Sequence, residues 1–158
     1  MIHLLLLLPL LAAAMLPVSA NAAPSLVDLR TEYLDNPLGL DVAAPRFSWQ
    51  LQEQGEERGI SQQSYRVVVK SKSSNVIVWD SKFVSSNKSW NVVYEGEPLV
   101  SGSVYEYTIS VTALHVGGGS RATLVSAAAL FSVGLLKPGD WKPSSWIGAE
   151  KNDTQAPW

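Results

Sequence analysis

The stretch "YEYTISVTA" fixes the class of fold. Tyr105, Tyr107, Ile109, Val111 and Ala113 fall on one side, and Glu106, Thr108, Ser110 and Thr112 on the other. A period of two gives a β-strand one apolar face, whereas an α-helix repeats every 3.6 residues. The pattern recurs in "RFSWQL", where Phe47, Trp49 and Leu51 oppose Arg46, Ser48 and Gln50. It recurs in "SYRVVVK", with Tyr65, Val67 and Val69 against Arg66 and Lys70, although Val68 blurs it. Shorter candidates are Leu26 to Thr31, Val76 to Asp80, Trp90 to Tyr94 and Ala128 to Val133.

The segments between them are turn chemistry: "DNPLGLDVAAP", "EQGEERG", "EGEPLVSG" and "VGGGS" supply Pro, Gly, Asn and Asp. No segment carries the periodicity of an amphipathic helix. "TLVSAAALF" is rich in alanine, but Phe131 and Val133 alternate and Gly134 ends the run, so it reads as a loop entering a strand. Seven short strands separated by turns predict an all-β antiparallel sandwich of the fibronectin type III/immunoglobulin-like kind. Leu99 lies six residues before Tyr105, with Pro98 and Gly102 at the turn. That spacing resembles the tyrosine corner of Greek-key sandwiches, in which a Tyr hydrogen-bonds the backbone of the preceding crossover. Trp49, on the second strand, is expected to fill the largest core site.

The first residues, "MIHLLLLLPLLAAAMLPVSANAA", carry no formal charge. An apolar run followed by small residues at Ala20 and Ala22 reads as a signal peptide, 1–22, that is cleaved on secretion. Leu4 to Val18 is interrupted by Pro9 and Pro17 and is short against the ~20 residues a membrane span needs. No later stretch is apolar enough to span, so no membrane association is expected after cleavage. The chain has no cysteine, so its core alone must hold it together. Two sequons, at Asn87 and Asn152, are candidate glycan acceptors in a host that modifies secreted proteins. A formal charge of -2 leaves no basic stripe for nucleic acid.

Catalytic chemistry is sparse. His3 leaves with the signal, and His115, the other histidine, is expected in a solvated loop with no triad around it. One histidine and no cysteine do not make a zinc site, and no cofactor is implied. "VGGGS" lacks the Lys and the helix of a phosphate loop and reads as a hairpin tip. Glu56 and Glu57 are adjacent in a polar loop with Arg58, so they do not face each other across a substrate. Trp79, Trp90 and Tyr94 could stack on a sugar ring. Trp90, Val92 and Tyr94 also alternate, however, which would point them inward together.

Three stretches taken together resemble one family. "LRTEYLDNPLGLDVAAPRFSWQL" is similar to the opening of secreted, bacterial-type α-L-rhamnosidases (glycoside hydrolase family 78), where L-R-x-E-x-x-x-N-P-x-G-[IL]-D precedes P-R-F-S-W. "VWDSKFV" resembles that family's L-W-D-S-G-x-V, and "FSVGLLKPGDWKPSSWIGAE" its F-x-x-G-L-L-x-P-x-D-W-x-A-x-W-I-G. The resemblance runs from Leu29 to Glu150. It implies an N-terminal fibronectin-like sandwich, followed in the parent enzyme by further β-sandwiches and an (α/α)6 barrel. That barrel would hydrolyse terminal α-L-rhamnosides with inversion. None of its motifs is present, so no catalytic residue carries over. What carries over is structural: Arg30, Glu32, Asn36, Pro37, Gly39 and Asp41, then Pro45 to Trp49, then Gly134 to Trp146. The chain departs from the family at Tyr107, where a Trp is usual, and in "GGGSRATLVSAAAL", where a Ser-x-W-S turn is usual.

The expected organisation is a signal peptide at 1–22, a sandwich at 24–136, and a linker with the truncated start of a following domain at 137–158. Trp141 is expected to pack back on the sandwich edge. Trp146 and Ile147 would start the next domain, to which Trp158 would also belong. On this reading the chain is a non-catalytic accessory module. Its partners are downstream domains of the same polypeptide, and a rhamnosylated glycan meets it only through the parent enzyme. The alternative is a stand-alone secreted module that presents Trp79, Trp90 or the "GGGS" loop to a glycan or protein.

Overall fold

The structure, a computed structural model, describes residues 23–53, 59–115, 119, 121–145 and 147. The signal segment, Glu56, Glu57, Trp146, Asn152 and Trp158 lie outside the described residues. Among the described residues nine strands follow one another: β1 Ser25–Thr31, β2 Arg46–Gln52, β3 Ile60–Ser71, β4 Ile77–Asp80, β5 Val84–Ser85, β6 Val92–Val93, β7 Val104–His115, β8 Arg121–Val125 and β9 Ala129–Ser132. A 3-10 turn, Pro138–Trp141, comes after them. One sheet has the order β1-β2-β6. The other has the order β4-β3-β7-β8, with β5 also on β3 and β9 also on β7. Every strand pairing is antiparallel. This is the expected sandwich, and no α-helix occurs among the described residues.

The long central pair β3 and β7 shows why alternation was so legible. Tyr105, Tyr107, Ile109, Val111 and Ala113 are buried in turn along β7, and Tyr65, Val67 and Val69 along β3. Phe47 and Trp49 descend on them from β2. The centre of the core is aromatic. The Phe47 ring lies 4.7 Å from Tyr107 and 5.8 Å from Phe131, and Tyr105 stacks on Phe131 at 5.3 Å. Trp49 is buried but sits to one side, edge-on to Tyr65 at 5.4 Å, with its indole N–H donating to Gln62. Trp49, 2% exposed, is the bulkiest side chain of the core, and Phe47 and Tyr107 are fully enclosed at its centre. Tyr107, the departure from the family pattern, fills the middle of the core, and burial pushes its phenol up to about 12.

Two strands went unpredicted because burial does not mark them. β5 is two exposed residues, and β8 is exposed at four of its five positions. Both are held by backbone ladders at sheet edges. "RATLV" is accordingly a strand rather than a loop, pairing with β7 from Ser110↔Val125 to Leu114↔Arg121. The same ladder logic moves His115: it ends β7 opposite Ile60, half-buried, rather than lying in a solvated loop.

Each edge breaks where a serine takes over the ladder. Ser81 lies between β4 and β5: its N–H donates to Val67 O, and its hydroxyl accepts from Val67 N at 2.8 Å. Ser126 lies between β8 and β9: its N–H donates to Ile109 O, and its hydroxyl accepts from Ile109 N at 3.0 Å. Val67 and Ile109 are themselves register partners. The two breaks thus align in one row across the sheet, where a bend costs no hydrogen bond.

Candidate functional site

Residues of the first and third motifs converge on a clasp at one end of the sandwich, while the second motif, 78–84, runs along β4 and into β5. After β1, Glu32 and Tyr33 both take left-handed backbone, φ 51° and 65°, and Thr31 and Leu34 exchange hydrogen bonds around them. Two positive φ values in a two-residue turn are the type I′ signature, normally filled by Asn or Gly. Here side chains hold the strained turn. Arg46 donates from Nε and one terminal nitrogen to the Glu32 carboxylate, the shortest contact being 2.5 Å, and its guanidinium lies over the Tyr33 ring at 5.2 Å. Glu32 also accepts from Arg46 N at 2.7 Å. This pairing holds the Glu32 carboxyl below the usual carboxylate range.

The "NPLGL" segment then lies beside β9. Asn36 Oδ1 accepts from Leu130 N at 2.7 Å, Pro37 O accepts from Ser132 N at 2.9 Å, and Gly39 N donates to the Ser132 hydroxyl at 2.7 Å. Leu40 bridges Val133 in parallel, donating to Ser132 O and accepting from Gly134 N. A side chain at Gly134 would sit 3.0 Å from the Gly39 carbonyl, so this glycine lets the two backbones approach closely. Asn36, Pro37, Gly39 and Gly134 thus clasp the start of the chain to the end of the last strand.

The exit is tethered by polar groups. Ser101 donates from its hydroxyl to Asp140 and accepts from Leu136 N, while Asp140 also accepts from Lys137 N at 2.9 Å. The hydroxyl contact, followed by the backbone one, lowers the Asp140 carboxyl from its usual value. Trp141 does not pack back on the sandwich edge: it is 58% exposed, because Asp140 anchors the turn and the indole need not. Ile147 beyond it is fully exposed. The tyrosine corner is present. Tyr105 accepts at its hydroxyl from Val100 N at 2.8 Å, and Leu99 is buried beside it.

The three candidate sugar-stacking rings do not share a face. Trp79 stacks on Phe47 at 6.0 Å and meets Tyr94 edge-on at 5.3 Å, and the Tyr94 hydroxyl donates inward to Glu97 O. Trp90 is 63% exposed, so it does not point inward with Val92 and Tyr94. The reason is Asn91, whose left-handed φ of 53° breaks the alternation. Asn87 is exposed on the same loop.

Nothing among the described residues resembles acid–base machinery. Among the described residues no three His, Asp or Glu side chains gather as a metal site. Arg66 and Lys82 clamp the Asp80 carboxylate far below the usual range, the opposite of a poised general acid. No helix among the described residues is long and apolar enough to cross a membrane.

The fold and clasp define an immunoglobulin-like β-sandwich whose distinctive residues build structure. The family model described as "Rha78A-like, N-terminal immunoglobulin domain" matches residues 26–137, and the chain belongs to that family. An α-L-rhamnosidase of Formosa agariphila is 37% identical over 122 residues, 75% of this chain and 12% of that protein. One of Streptomyces avermitilis is 36% identical over 129 residues, 80% of this chain and 12% of its own length. The chain thus spans about an eighth of these relatives. The solved structure of Streptomyces avermitilis α-L-rhamnosidase complexed with L-rhamnose superposes with a TM-score of 0.65 at 32% identity, covering 76% of this chain and 11% of that one. The α-L-rhamnosidase from Dictyoglumus thermophilum gives 0.63 at 31%, covering 75% and 13%.

Proposed function

We propose that this chain is the secreted, non-catalytic N-terminal sandwich of an α-L-rhamnosidase, and that it packs against downstream domains of the same polypeptide and helps to position them. The observation that carries this reading is the family match over residues 26–137 on a sandwich whose matched motif residues build a clasp. Hydrolysis, with inversion, belongs to a downstream (α/α)6 barrel, and a rhamnosylated glycan is recognised there. Residues 1–22 are a cleaved signal peptide, and Asn87 and Asn152 are glycan acceptors where the host modifies them. The exposed Trp141 and Ile147 are surface for the following domain to cover.

The purified chain should not turn over an aryl α-L-rhamnoside. Hydrolysis by this chain alone, removed by no contaminating-enzyme control, would overturn the accessory role. The gene read past the Trp158 codon should encode the remaining domains. A stop codon there would remove the docking role and leave a stand-alone module.

A further inference from the structure

A cleft of about 300 Å³ opens along the side of the sandwich where its two sheets part. Trp79 and Val84 wall it from one sheet, Val92 from the other, and Tyr65 reaches it from β3. Tyr65 is 8% exposed, and its ring is fixed against Trp49. Its hydroxyl has no hydrogen-bond partner among the described residues, unlike those of Tyr94 and Tyr105. The Tyr65 hydroxyl opens on the cleft, where it can both donate and accept. Burial and the nearby Glu95 charge both keep it protonated. Lys88 and Glu95 stand at the rim, and neither has an ion-pair partner among the described residues.

We propose that this cleft binds one neutral pyranose unit of a glycan. The part of the Trp79 indole left uncovered by Phe47 and Tyr94, together with the exposed Val84, gives the cleft an apolar side for the C–H groups of a sugar ring. The phenol, the ammonium and the carboxylate supply both donors and acceptors, which is what sugar hydroxyls need. Asp80, already paired with Arg66 and Lys82, adds a second carboxylate to the lining, so an anion would meet two like charges, a cation would meet Lys88, and a neutral polyol would meet no repulsion. The volume suits one ring, at the small end of ligand sites. Trp90 lies outside this lining, so the site is not the surface platform that the sequence offered. The cleft would act whether or not the parent protein is a rhamnosidase.

The test is a two-dimensional amide NMR titration of the whole chain with L-rhamnose, D-galactose and D-glucose, with glycine and sulfate as charged probes. The expected result is saturable shifts at the Trp79 indole N–H and the Glu95 amide for at least one sugar. Glu95→Gln and Tyr65→Phe should each weaken that binding roughly tenfold. Trp141→Ala should leave it unchanged. Since Glu95 is exposed, Glu95→Gln carries the test even if Tyr65→Phe impairs folding. Shifts with no sugar, shifts that persist in Glu95→Gln, or tighter binding of glycine or sulfate would each overturn the site.

Discussion

Tyr105 shows how much one side chain can fix. Its hydroxyl meets Val100 N, its ring stacks on Phe131, and the crossover that carries Leu99 is held down between them. Tyr105→Phe keeps the ring and strands a backbone donor. It should cost about 1–3 kcal/mol, read as a drop in urea midpoint at unchanged slope. A midpoint equal to wild type would mean that water reaches Val100 N, and that the corner is decorative. The Leu99–Tyr105 spacing made this contact legible from sequence. The hydroxyls of Ser81 and Ser126 were not legible, because a serine beside a strand is ordinary until its backbone partner is known.

At the scale of elements, the aligned breaks at Ser81 and Ser126 let each edge of one sheet run as two short strands along β3 and β7. Ser126 is buried, and its hydroxyl meets the N–H of Ile109, itself fully enclosed. Ser126→Ala should therefore cost about 1–3 kcal/mol. Native-state hydrogen exchange should show the Ile109 amide losing protection while the Val111 amide keeps it. Equal protection in both would place the stabilisation elsewhere. β8 escaped prediction for a related reason: an edge strand held by its ladder shows no alternation to read. The Glu32–Tyr33 turn escaped because neither residue is a usual left-handed one, and Arg46, far along the chain, supplies the compensation.

Across the whole molecule, charge sets a pH window. Glu32, Asp80, Glu106 and Asp140 all have carboxyls held below their ordinary values, chiefly by hydrogen bonds from Arg46, Arg66, Lys72 and Ser101 respectively. A depressed folded-state value gives stability that is complete above the unfolded value, ~4, and lost as pH falls through the folded one. Tyr94 and Tyr107 lie at about 12, raised by burial. Their stabilisation is complete below the unfolded value, ~10, and lost as pH rises toward the folded one. The Tm should form a plateau between about pH 5 and pH 9 and fall on both sides. Asp80→Asn should flatten the acid limb. An acid limb as steep as wild type in that variant would show that Asp80 does not contribute to it.

The sequence alone determined the class of fold, because period-two alternation on a disulfide-free chain leaves a sandwich as the way to bury one face of each strand. It also determined the family, because its motifs are local runs that keep their order and spacing. The tertiary structure decided what those motifs do. Asn36, Gly39 and Gly134 meet only when the start of the chain folds back beside β9. It decided that Trp141 stays exposed, since Asp140 rather than the indole anchors the exit turn. It also opened the Tyr65 cleft, because a gap between two sheet edges belongs to no single stretch of chain.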